Sequence, residues 1–140
     1  AQAELSYPSM DDFIQKFPEE DDDTAFETAQ RKLDAEDPGV RSKLLGWEDI
    51  IQDSMYEECD LVTKGYYLGD AEGYAKITPE DRKDSETAID RWQLLLQLDM
   101  VEAENFELMF GDSGRLYVFM RKEDLKARRF DNAWGIIQCC

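Results

Sequence analysis

Three apolar runs in the second half of the chain constrain its fold more than anything else: Trp92–Leu98, Arg115–Met120 and Trp134–Cys139. Each is the length of a strand, rich in Leu, Val, Ile and aromatic residues, and set off by polar turn chemistry. The sequence predicts strands at all three. The first two are nearly continuous in apolar character, which suits strands covered on both faces or a barely alternating sheet. Gly111-Asp112-Ser113-Gly114 supplies turn residues between them, with two glycines that tolerate positive φ. A short helix over Glu123–Arg129 separates the second run from the third.

The first half is built differently. Ser9-Met10-Asp11-Asp12 resembles a capping box with Asp in the Glu position. It predicts a short helix with Phe13, Ile14 and Phe17 on one face, stopped by Pro18. Glu19, Glu20, Asp21, Asp22 and Asp23 form an unbroken acidic run, and Thr24–Glu36 reads as a helix with Phe26, Ala29 and Leu33 at helical spacing. Residues 40–70 have no clean period. Thr78-Pro79-Glu80-Asp81 is a helix start, with Thr at the N-cap and Pro at the first helical position, and that helix is expected to run to about Asp90. The expected fold is α+β, a single domain over residues 1–140, with an antiparallel sheet and flanking helices. Residues 1–41 form an acidic helical lead-in to it.

Charge is uneven. The net charge is −17, and residues 1–60 hold 18 acidic against 5 basic side chains. Direct binding to nucleic acid is disfavoured, because that affinity comes from Lys and Arg displacing counterions from phosphates. A basic protein partner is the expectation, engaged through Glu19, Glu20, Asp21, Asp22 and Asp23. Residues 115–130 run against the trend, with Arg115, Arg121, Lys122, Lys126, Arg128 and Arg129 against Glu123 and Asp124. Their expected role is internal, facing acidic groups of this chain or of a second copy.

No apolar run approaches the roughly 18 residues of a membrane span, and no basic-then-apolar leader is visible, so a cytoplasmic location is expected. The three cysteines are odd in number, and Cys139 and Cys140 are adjacent. Free thiols in a reducing compartment fit that pattern better than a disulfide framework.

The chain contains no histidine. Gly111-Asp-Ser-Gly114 therefore does not mark a serine nucleophile, since the triad needs an imidazole base. The commonest transition-metal ligand is missing too, cysteine spacing is poor for zinc, and the calcium-loop pattern is absent. No metal and no cofactor are expected, and the balance leans away from catalysis. Gln97 and Gln138 each interrupt an apolar strand. They are outward-facing, or satisfied buried amides, or members of a shared polar pocket. In the last case Gln97, Asp99, Asp112, Tyr117 and Gln138 would line a small-ligand or catalytic site at one end of the sheet.

One resemblance adds to this. Trp92–Asp99, Gly111–Phe119, Glu123-Asp124-Leu125 and Phe130–Cys139, with Lys43–Trp47 and Ile51-Gln52 upstream, resemble the C-terminal part of the YwqG-like family of bacterial cytoplasmic proteins. The resemblance covers residues 42–140. Ser42 stands where that family usually has histidine, and its members are typically longer. It implies an α+β cytoplasmic domain and no particular reaction. A setting near secreted-toxin loci for some relatives makes an immunity-type binding role conceivable. The expected function is thus a non-catalytic protein-interaction module with an acidic face, of undetermined oligomeric state. The alternative is a small-ligand-binding domain or enzyme.

Overall fold

The computed structural model describes residues 42–139 together with Pro8, Ser9, Asp12, Phe13, Glu27, Thr28 and Arg31. Its elements run in chain order as strand β1 (Lys43–Leu44), helices α1 (Tyr56–Thr63), α2 (Ala71–Ala75), α3 (Pro79–Ser85) and α4 (Ala88–Arg91), strands β2 (Trp92–Leu98), β3 (Val101–Ala103), β4 (Phe106–Leu108) and β5 (Arg115–Arg121), helix α5 (Lys122–Ala127), a 3-10 turn (Phe130–Asn132) and strand β6 (Trp134–Gln138). The described part is α+β. One antiparallel sheet has the order β1-β2-β5-β6, and β3-β4 form a separate hairpin.

The three apolar runs are strands, as their composition predicts. They are covered unequally on the two faces. On the inner face Trp92, Leu94, Tyr117, Phe119 and Ile136 are buried against Met55, Tyr56 and Cys59 of the α1 region and Ala88 and Ile89 of α4. Tyr56 meets Phe119 edge to face, with ring centroids 5.4 Å apart, a geometry the ring quadrupoles favour. The outer face carries Leu44, Leu96 and Val118 in one row and Leu98, Leu116 and Ile137 in the next. Leu44 and Ile137 stand 75% and 56% exposed. Trp134, on the edge strand, is also 39% exposed, so of the three tryptophans only Trp92 is fully in the core.

A register irregularity between Leu94 and Leu96 decides what faces inward. Strict alternation from Trp92 and Leu94 would turn Leu96 into the core. The extra residue resets the phase, so Gln97 pairs with Tyr117 on the inner face and is fully buried. Two rows result at that end of the sheet, Gln97–Tyr117–Ile136 and Arg115–Gln138. The apolar core therefore passes into a polar one along the same strands.

The helix start at Thr78 forms as expected: its hydroxyl accepts from the Asp81 N–H at 3.1 Å. The helix divides at Glu86 and Thr87 rather than continuing to Asp90. The helix expected over 123–129 begins one residue earlier and ends at Ala127, where Arg128 takes φ 57°. In the turn before β5, positive φ falls on Gly111 and Ser113, not on Gly114. Gly114 is required for space: a Cβ there would collide with the carbonyl oxygens of Phe110 and Gln138. At the N-terminus the Asp12 N–H donates to Ser9 Oγ at 3.1 Å, the expected cap. Glu19–Asp23 and most of the helix expected over 24–36 lie outside the described residues.

Candidate functional site

The polar end of the inner face receives one piece of the chain, the loop from Trp47 to Asp53. Asp49 is its hub. The Asp49 N–H donates to Gln97 Oε1 at 2.9 Å, and Gln97 Nε2 returns a bond to Asp49 Oδ2 at 2.7 Å. Lys43 Nζ sits 2.7 Å from the same carboxylate oxygen. The Asp49 carbonyl accepts twice, from Tyr117 Oη at 2.7 Å and from an Arg115 guanidinium N–H at 2.8 Å. One strand away, Gln138 Oε1 accepts from the Ile51 and Gln52 N–H groups at 3.0 and 3.1 Å, and its Nε2 donates to the Asp53 carbonyl at 2.7 Å.

These contacts have a common logic. A loop laid over a sheet has backbone donors and acceptors that no ladder serves, and burying them unpaired is costly. A glutamine amide offers one donor end and one acceptor end, so it imitates a strand edge for the loop. The same pairing satisfies the glutamines, which would otherwise be destabilising in a core.

Of the residues expected to share a pocket, the fold thus brings Gln97, Tyr117 and Gln138 onto one face, with Asp99 at its margin. Asp99 pairs with Arg115 Nε at 3.2 Å, and its N–H donates to Ser42 Oγ at 2.9 Å. Asp112 stands apart, exposed in the turn before β5. Burial pushes the Tyr117 phenol up to about 12, opposed by Arg115, so it stays a neutral donor to the Asp49 carbonyl. Asp49 itself is a participant that sequence reasoning missed. Nothing in Trp47-Glu48-Asp49 distinguishes it from the chain's many other acids.

A second polar cluster lies under α1. Asp60 is fully buried. It accepts from Trp92 Nε1 at 3.1 Å and from Arg121 at 3.2 Å on one oxygen, and it contacts Arg91 at 2.9 Å and Lys64 at 3.0 Å through the other. Burial alone would raise the Asp60 pKa, but the Trp92 and Lys64 bonds and the Arg91 charge together hold it below the usual range. Arg121 also lies over the Trp92 ring at 4.9 Å, a cation–π contact. The basic stretch at 115–130 is engaged internally here, with Arg121 reaching an acid of the first half.

A groove of about 290 Å³ runs along the segment before and within α2, beside Tyr66, Tyr67, Asp70, Glu72 and Lys76. Among the described residues no three carboxyl or thiol groups cluster closely enough to hold a metal ion. No helix among them is long and apolar enough to cross a membrane.

The arrangement defines a class: a small α+β domain whose antiparallel sheet clamps its own loop through buried amides, with an apolar outer face. Over residues 2–139 the chain matches the family described as a domain of unknown function (DUF1963), and it belongs to that family. The match includes the lead-in before residue 42. Comparison with curated proteins finds no significant match.

Proposed function

We propose that this chain is a non-catalytic protein-interaction module, a YwqG-like member of its family, that captures a basic protein partner in the bacterial cytoplasm, in the manner of an immunity protein. One observation carries the reading. The polar side chains that could have formed a ligand pocket, Gln97, Tyr117 and Gln138, are engaged with the loop at 47–53. The outer face of the same sheet leaves Leu44 and Ile137 in solvent. An apolar face on a chain of net charge −17 suits a partner that is positively charged around an apolar patch. Charge then governs the encounter rate, while apolar burial sustains the complex.

The test is capture of partners on the immobilised chain, followed by association kinetics with the protein released by salt. Reversing Glu19–Asp23 to lysines is expected to slow association about tenfold or more at low salt, and Leu44→Asp with Ile137→Asp to speed dissociation. The proposal fails if no salt-released protein is recovered. It fails equally if association is indifferent to both salt and charge reversal.

A further inference from the structure

Two carboxyl groups are buried where Asp12 bonds Ser54 of the loop leading into α1. Asp12 is 1% exposed and Glu48 3%. Their surroundings differ in a way that separates their roles. Asp12 has a hydroxyl donor on each oxygen, Ser54 Oγ at 2.6 Å and Ser9 Oγ at 2.7 Å. Both oxygens of Asp12 are therefore satisfied. Glu48 Oε2 accepts from Tyr56 Oη at 2.8 Å. Its other oxygen, Oε1, is buried with no hydrogen-bond partner, and the Asp12 carboxyl acts on Glu48 electrostatically.

Two ionised carboxylates in contact inside a protein repel strongly, and such pairs hold one proton between them. A bare buried acceptor costs free energy, whereas an O–H at the same place becomes a donor with an anion beside it. We propose that a single proton, carried by Glu48 beside Asp12, is a latch that fastens Asp12 to the loop preceding α1, and that the latch opens when this proton leaves. A metal ion is the weaker occupant, because no third carboxyl or thiol joins the pair among the described residues.

The charges around the pair set the transition. Burial pushes the Glu48 pKa up to about 7; its own backbone N–H opposes this, the Asp12 charge adds to it, and the Tyr56 bond opposes it. From α1, Tyr56 and Cys59 also face the site, and burial holds both in their neutral forms. Glu58 and Asp60 of the same helix act on Cys59, and Asp60 is matched by its own cations. From the sheet, Lys43, Arg115 and Tyr117 are directed to the neighbouring Asp49. The latch is therefore closed in mildly acid solution and opens through neutral pH. It would tie Asp12 to the folded core independently of what the module binds.

Hydrogen exchange of the full chain tests this. Protection of the amides of Asp12 and Phe13, which bond Ser9, and of residues 47–55 is compared at about pH 5.5 and about pH 8.5, on either side of the Glu48 transition and corrected for intrinsic exchange. Wild type is expected to lose protection about thirtyfold at the higher pH. Glu48→Gln keeps an acceptor for Tyr56 and supplies a permanent donor toward Asp12, so its protection is expected to stay level. Equal protection of wild type at both values overturns the proposal, as does the same loss in Glu48→Gln. So does recovery of protection at high pH on adding Ca²⁺ or Mg²⁺, which would make the occupant a cation. If Glu48→Gln does not fold, carbon NMR of the wild-type Glu48 carboxyl decides. A midpoint near 7 supports the latch, and one near 4.5 overturns it.

Discussion

Replacing Gln138 with leucine asks whether the buried amides exist to hold the loop. Leucine fills nearly the same volume, so the cavity term is small and the change isolates hydrogen bonding. Three backbone groups lose their partner: the Ile51 and Gln52 N–H donors and the Asp53 carbonyl. An unsatisfied buried group costs about 1–3 kcal/mol. Gln52 and Asp53 are exposed residues, so water can reach part of this backbone, and the lower end applies. About 1 kcal/mol for each group gives about 3 kcal/mol, a large share of the roughly 5–15 kcal/mol that stabilises a typical domain. Urea unfolding followed through Trp47, which sits on the loop, reads the loss directly. With a slope of about 2 kcal/mol per molar, the midpoint falls by roughly 1.5 M at unchanged slope. Gln52→Ala is the control. It removes one exposed bond, to the Cys139 carbonyl at 2.7 Å, and should cost less than about 1 kcal/mol. A Gln138→Leu midpoint within roughly 0.3 M of wild type would refute the loop-clamp reasoning, since the same slope converts it to well under 1 kcal/mol. It would return Gln138 to the list of residues free to serve a ligand.

Two further outcomes are expected. Because the folded pKa of Glu48 is raised from 4.5 to about 7, stability should fall as pH rises between those values and level off above, by about 3 kcal/mol in all. Asp60 has the opposite sign, its folded pKa being lowered: its contribution is complete above its unfolded value of 3.8 and lost as pH falls below. Urea midpoints across pH should therefore peak on the acid side of neutral, and Glu48→Gln should flatten the fall toward neutrality; a wild-type midpoint rising from pH 5 to about 7 would contradict this. Asp60→Asn should cost about 2 kcal/mol, below the usual figure for breaking a buried pair because the three cations keep partial solvent contact. Lys64 and Arg91 retain Asp84, while Arg121 keeps only the Trp92 ring and the Thr63 hydroxyl among these contacts. An unchanged urea midpoint would show that the charge of Asp60 is dispensable.

What could be seen in advance followed the range of the interactions responsible. Trp92–Leu98 was legible as a strand because seven consecutive residues carry the signal themselves. The cap at Thr78 was legible because donor and acceptor lie three residues apart. Helix α1 was not. Its sequence, Tyr56-Glu-Glu-Cys-Asp-Leu-Val-Thr63, buries Asp60 as well as Tyr56, Cys59 and Leu61, so the polar residue within its apolar face obscures the helical period. The cations that make Asp60 tolerable come from Lys64 on the next turn, but also from Arg91 and Arg121, about 30 and 60 positions away. The hairpin β3-β4 was equally hidden, since its residues are almost all exposed and display no apolar alternation.

The glutamines show the same limit from the functional side. That Gln97 and Gln138 interrupt apolar strands was visible, and so was the choice between a pocket and a satisfied amide. The deciding facts are nonlocal. The β2 bulge turns Gln97 inward in place of Leu96, and the loop it meets lies 48 residues earlier in the chain; for Gln138 the separation is 87. A polar residue in a strand states that something polar must face it, and ligand and backbone satisfy that demand equally well. Here the demand is met from within, which moves the search for a partner from the inner face of the sheet to the outer one.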